Sequence, residues 1–276
     1  MIKQILYIVV IFGILSCGHK NENKSNIPNK KVEDIYVPTY TVTQLNDKFE
    51  VSFDSLKANG LDEIFLEWNK TIKSNSEDFI NQNDTISAVF KVYKEFYKPL
   101  DLLELGNWEW GNELNSKSKY VVIQNKLFYS VLSTDNLDDY DWKKSKTDSI
   151  ENFRPPVNLE KNKVLYLTDE YATSINNFLG FESSILGEDN IMSPSKPIKK
   201  SEKRYEMLRS YIPILHGHWG GYWYLETHPD VSIIIFNKDL TKAKIDFRVG
   251  YQGGETILDK NGSNWIIKES KETWIE

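Results

Sequence analysis

Apolar and polar positions follow different rhythms along this chain of 276 residues, and each rhythm predicts a different element. Between Tyr40 and Phe53 the stretches YTVTQL and KFEVSF, around NDK, alternate like two short strands. In LDEIFLEWNKTI, Ile64, Phe65 and Trp68 stand at helical spacing. A longer helix follows NQND, where Asn83 or Asp84 can cap it. Its stripe of Ile86, Val89, Phe90, Tyr93, Phe96 and Tyr97 predicts a buried face, and Pro99 ends it. LGNWEWGNEL reads as loop, and YVVIQNKLFYSVL as a hairpin turning at Gln124 to Lys126. KVLYL is a strand ending at Thr168. That residue caps a helix with Tyr171, Ile175, Phe178 and Leu179 on one face and Gly180 as terminator. Residues 187–200, with Gly187, Pro194 and Pro197, read as a long loop before a short helix in EKRYEMLRSYI.

Beyond residue 211 the helical period disappears. GYWYLETH and VSIIIFN are separated by Pro229-Asp230. KAKIDFRVGY alternates, placing Ala243, Ile245, Phe247 and Val249 on one face and Lys242, Lys244, Asp246 and Arg248 on the other. Asn261-Gly262 is a hairpin turn signal within ETILDKNGSNWIIKES, and ETWIE reads as a separate last edge strand. The expectation is an α+β body with N-terminal helices and short strands, followed by a C-terminal antiparallel β-meander of five strands. Residues 35–210 form the mixed region and 211–276 the meander, packed together as one body. That order of elements is loosely similar to NTF2-like cone folds.

The first sixteen residues, MIKQILYIVVIFGILS, are of another kind. Lys3 precedes an apolar run from Ile5 to Leu15, about half of the ~20 residues needed to span a bilayer. That length suits the core of a signal peptide. The run ends at Ser16 and Cys17, the one cysteine of the chain. ILSC, Ile14 to Cys17, resembles the lipobox of bacterial lipoprotein signal peptides. The resemblance implies that the leader 1–16 is removed, that Cys17 carries a diacylglyceryl group on its thiol, and that its new amine is acylated, often with palmitate. Two or three such chains anchor a protein firmly, at roughly 0.8 kcal/mol per buried methylene. Residues 17–34 are polar and rich in Asn and Lys, and read as a tether with an end-to-end distance of about 20–25 Å. Lys20 and Glu22 loosely resemble the charged signals that direct some lipoproteins outward. The expected location is the cell envelope, at the outer membrane.

Charge narrows the partners. The chain carries a net −6, and loss of the leader with Lys3 makes it more negative. An acidic body lacks the basic face that nucleic acid requires. With no cysteine beyond Cys17, no disulfide supports the exported fold. The 8 Trp and 15 Tyr supply large buried area instead.

Candidate chemistry gathers in ILHGHWGGYWYLETHP, which holds His216, His218 and His228 of the chain's four histidines. As one uninterrupted strand it would place His216, His218, Tyr222, Tyr224, Glu226 and His228 on one face. His-x-His is a real metal-ligand spacing, and His216, His218 and Glu226 are the candidate ligands. Gly220-Gly221 interrupts the strand, however, and the more distant histidines meet only if the chain folds back there. The alternative makes these histidines ordinary polar side chains at a sheet edge. Trp219, Tyr222, Trp223 and Tyr224, with Trp108 and Trp110, can instead form a stacking platform for a ligand such as a glycan. DNLDDYD gathers Asp135, Asp138, Asp139 and Asp141, but an EF-hand register from Asp135 puts Tyr140 where Gly belongs and Lys146 where Glu belongs. It reads as a solvated acidic loop. No Gly-x-Ser-x-Gly elbow, P-loop or dinucleotide fingerprint occurs. The chain thus reads as a lipid-anchored envelope protein without a cofactor, bound to the membrane through Cys17 and recognising a ligand, a glycan or an envelope protein without catalysis. The alternatives are a metal-dependent enzyme or hydrolase built on His216 and His218, and a structural subunit of an envelope complex.

Overall fold

A capping box opens the fold. The Thr41 amide donates to Gln44 Oε1 at 2.9 Å, and the Gln44 amide donates to Thr41 Oγ1 at 3.3 Å. Helix α1, Val42–Asp54, starts there. It replaces the two strands expected over Tyr40 to Phe53. Leu45, Phe49 and Ser52 are its buried positions, a spacing of four and three that makes a helical stripe. The short alternations are compatible with both periods, and the Thr41-x-x-Gln44 box decides between them. The computed structural model describes residues 38–54, 58–97, 118–157, 163–180, 198–216, 223–225, 227, 229–250 and 252–275. All of these fall in one unit, Val32–Glu276.

Helix α2, Ala58–Thr71, and helix α4, Asp84–Phe96, lie where the stripes predict them, with a one-turn helix α3, Glu77–Ile80, between. Asn83 caps α4 by accepting from the Ile86 amide at 2.8 Å. Helix α5, Asp169–Leu179, ends at Gly180 in the left-handed conformation, φ 83°. Thr168 occupies its N-cap position without a side-chain capping bond. Helix α6, Ile198–Leu208, begins inside the stretch expected to be loop.

Strands β1, Tyr120–Gln124, and β2, Lys126–Val131, are consecutive but do not form the expected hairpin. β1 pairs in parallel with β4, Lys163–Leu167. β2 joins the large sheet, antiparallel to β3, Asp148–Glu151, and parallel to β7, Asp230–Phe236. Burial explains the difference: Tyr120 to Ile123 are all buried, as in a strand covered on both faces, whereas β2 exposes Lys126, Phe128 and Val131 between buried positions. Gln124 closes the junction. Its Nε2 donates to the Val231 carbonyl at 2.8 Å, and its Oε1 accepts from the Val231 amide at 2.7 Å.

The large sheet has the order β10-β9-β8-β7-β2-β3. From β7 onward it is an antiparallel meander through β8, Lys242–Val249, β9, Gln252–Asn261, and β10, Asn264–Ile275. The meander has four strands rather than five. Strand β6, Trp223–Leu225, pairs instead with β5, Ile214–His216. The terminal ETWIE segment is no separate strand, because β10 runs on to Ile275 through irregularities at Lys268 and Thr273. Ala243, Ile245, Phe247 and Val249 are buried as their alternation predicts, and Gly262 takes φ 62° in the β9–β10 turn.

The core is aromatic. Phe65 stacks on Tyr211 with centroids 4.8 Å apart, and Trp68 on Tyr171 at 4.0 Å. Trp68 Nε1 donates to the Tyr166 carbonyl at 2.9 Å, tying α2 to β4. Phe96 of α4 meets Phe247 of β8 at 4.9 Å, which seats that helix on the sheet. The class is α+β.

Candidate functional site

The chain reverses between His216 and Trp223, the stretch that holds Gly217, Gly220 and Gly221. The single uninterrupted strand that would align the histidines is therefore replaced by a β5–β6 pair. Its register sets His216 opposite Trp223, Leu215 opposite Tyr224 and Ile214 opposite Leu225. Opposed residues share a face and neighbours alternate, so Trp223 and Tyr224 look to opposite sides. The Leu225 amide donates to Asn176 Oδ1 at 2.9 Å, fixing the pair to α5.

Trp223 lies at the centre of an aromatic column. The Tyr205 ring, from α6, stacks on it at 3.6 Å and 6° from parallel. His216 approaches at 4.6 Å and 66°, as an edge contact. Arg209, one turn after Tyr205, sits 5.6 Å from the Tyr205 centroid and is held by Glu206 at 3.2 Å. Trp223 and Tyr205 are half-buried and His216 is exposed. One indole face is thus committed to Tyr205, and the polar rims of His216 and Arg209 remain at the surface. Tyr205 was not among the candidates from sequence. The signal for it is the Tyr205–Arg209 pair one helical turn apart, a spacing that places both on one face. His218, Trp219, Tyr222, Glu226 and His228, with Trp108, Trp110 and Cys17, lie outside the described residues.

A groove of about 560 Å³ lies between α1 and α2, within the range of small-molecule sites. Tyr40, Lys48, Val51, Glu63, Leu66 and Lys70 are among its walls. The helices approach closely at Gly60, where a Cβ would come within 2.4 Å of Ser52 Oγ. Val51 is 67% exposed at its rim.

The acidic loop disperses its charge. Asp135 meets Lys238 at 3.3 Å, Asp138 meets Lys244 at 3.8 Å and Asp141 meets Lys144 at 2.9 Å. Among the described residues no group of three His, Cys, Asp or Glu is placed to hold a metal ion.

A polar cluster lies under the start of β7. Asp230 faces Arg248 across the β7–β8 ladder at 3.6 Å. Burial raises its pKa, opposed by Arg248 and by a hydrogen bond with Thr227. Tyr93, fully buried, has its pKa raised by that burial and then by Tyr97 and Asp230. Its hydroxyl meets no hydrogen-bond partner among the described residues. Tyr166, whose hydroxyl donates to the Pro155 carbonyl at 2.6 Å, is likewise raised by burial. In α2, Asp62 accepts from Lys119 at 3.1 Å and from the Tyr211 hydroxyl at 3.0 Å. The two bonds lower the Asp62 pKa; burial and Asp62 push Tyr211 up to about 12.

No family model, curated protein or solved structure matches this chain. Among the described residues no helix is long and apolar enough to cross a membrane.

Proposed function

We propose that the protein is a lipid-anchored component of a bacterial cell envelope whose body recognises a ligand or partner without catalysis. The observation that carries the anchoring is the coincidence at Cys17: the one cysteine of the chain follows a short apolar leader and the sequence ILS. The aromatic column of Tyr205, Trp223 and His216 supports recognition. It offers rigid rings with polar tips at a surface, a combination that binds with little loss of side-chain freedom. Since one face of Trp223 is covered by Tyr205, a partner meets the column at its rim, through the edge of the indole and the polar groups of His216 and Arg209.

Mass spectrometry of the native protein tests the anchor. The expected mature chain begins at Cys17 and carries acyl chains, and Cys17→Ser releases it from membranes. An intact residue 1 with an unmodified Cys17 would end this reading. Recognition is tested by screening Trp223→Ala and wild type side by side on a glycan array and against solubilised envelope proteins. A ligand retained equally by both removes the column from the binding surface.

A further inference from the structure

Strand β10 is the last strand of the six-stranded sheet, and among the described residues no strand lies beyond it. It runs for 12 residues, and Ile266, Trp274 and Ile275 along it are 40%, 47% and 66% exposed. An edge of that length with exposed apolar side chains is a template for another strand. The sequence of the edge, WIIKESKETWI, mirrors about Ser270 with its charges reversed: Lys268 and Glu269 on one side answer Glu272 and Lys271 on the other, and the apolar Trp265 and Ile266 answer Ile275 and Trp274. We propose that β10 is a self-association surface, pairing antiparallel with β10 of a second copy about a two-fold axis through Ser270, so that one sheet continues across both copies.

The two-fold sets Glu269 opposite Lys271 of the second copy and Lys268 opposite Glu272, with Ser270 opposite its own equivalent. Farther out, Ile266 meets Trp274 and Trp265 meets Ile275. Opposite charges directly across a ladder stabilise it, and apolar pairs do so through area removed from water. The same side chains disfavour neighbouring registers. A slip of one residue puts Glu269 against Glu272 in one direction and Lys268 against Lys271 in the other, like charges face to face in both. Edge lysines and irregularities also guard a strand against indiscriminate pairing. Here the irregularities fall at Lys268 and Thr273, leaving Glu269 to Glu272 regular between them. A guarded edge with one permitted register fits an isologous dimer, in which the same patch serves both copies.

The test uses the full chain in detergent. Ser270→Cys brings two thiols face to face, with Cα atoms about 4.5–5.5 Å apart, within disulfide reach. Oxidation is expected to give a cross-linked dimer far faster than Asn264→Cys, whose equivalents stand roughly 40 Å apart in this register, or than wild type, which reports on Cys17. In sedimentation equilibrium, Lys271→Glu is expected to weaken the dimer by about tenfold, and the swap Glu269→Lys with Lys271→Glu to restore it. Far-UV circular dichroism verifies that each variant stays folded. A wild type that remains monomeric, a Ser270→Cys cross-link no faster than Asn264→Cys, or a charge swap as weak as the single change would each overturn the proposal.

Discussion

Arg204 is the test of how the helical layer is held. Its side chain is 10% exposed and lies between α1, α5 and α6. Nη2 reaches both carboxylate oxygens of Glu50 at 2.6 Å, and Nη1 donates to the Phe178 carbonyl in the last turn of α5. The guanidinium also lies 4.5 Å from the Phe178 centroid and 5.3 Å from that of Phe53. Breaking a fully buried ion pair costs about 3–5 kcal/mol, and an exposed one about 0–1 kcal/mol. Glu50 is 42% exposed, which places Glu50→Gln between these limits, near 2 kcal/mol. Arg204→Met keeps the aliphatic packing but removes the charge, the carbonyl bond and the ring contacts; it should cost about 3 kcal/mol. The double variant isolates the pair. Urea unfolding of the four proteins should give a coupling energy of about 1–2 kcal/mol, reduced by added salt only slightly, because the guanidinium is screened by protein. A coupling below ~0.5 kcal/mol would mean that the pair adds nothing beyond its separate contacts, and the argument from burial would be wrong.

Other outcomes follow from the same geometry. Trp68→Phe removes the donor to the Tyr166 carbonyl and leaves unfilled volume against Tyr171; denaturant titration should show a loss of about 2–3 kcal/mol. At Gly253 a Cβ would fall 1.8 Å from Cε2 of Trp274, so Gly253→Ala should displace that indole into water while the sheet persists. Red-shifted tryptophan emission with unchanged far-UV circular dichroism is the expected readout, and an unshifted spectrum would contradict the close approach. Gly262→Ala should cost about 1 kcal/mol, since its φ of 62° strains any residue with a Cβ, and a neutral effect in thermal melts would argue against this turn. Asp62 has a lowered pKa in the folded chain, so its contribution is present above the unfolded value of 3.8 and is lost as pH falls through the folded one. Because its side chain is largely in water the effect is a few tenths of a kcal/mol. Asp62→Asn should flatten the acid limb of the stability profile by that amount, and an unchanged limb would show that the two hydrogen bonds do not matter.

The helices α2, α4 and α5 and the alternating strand β8 were legible because each carries a stripe of one period long enough to exclude the other. Where the stripe is short, other features decided. Thr41 and Gln44 make α1 a helix despite its strand-like alternation, and the box is visible in the sequence once sought. Tyr120 to Ile123 lack alternation altogether, which marks a strand buried on both faces; reading it with β2 as a hairpin relied on chain proximity alone. That β2 would lie parallel to β7, more than a hundred residues later, has no local signature. Of the aromatic column, Trp223 and His216 stood out by composition. Their opposition, and the part of Tyr205, depend on a reversal and a helix packing that only the tertiary structure supplies.

The bond between Glu50 and Arg204 spans 154 positions of the chain. A ribosome releases the two ends of that bond some seconds apart, at about 5–20 residues per second. During the interval α1 has its capping box and its apolar stripe but no cationic clamp, so the first of the described helices waits on the last of them. Any factor that holds the nascent chain open for those seconds acts on Leu45, Phe49 and their neighbours before their shelter has been made.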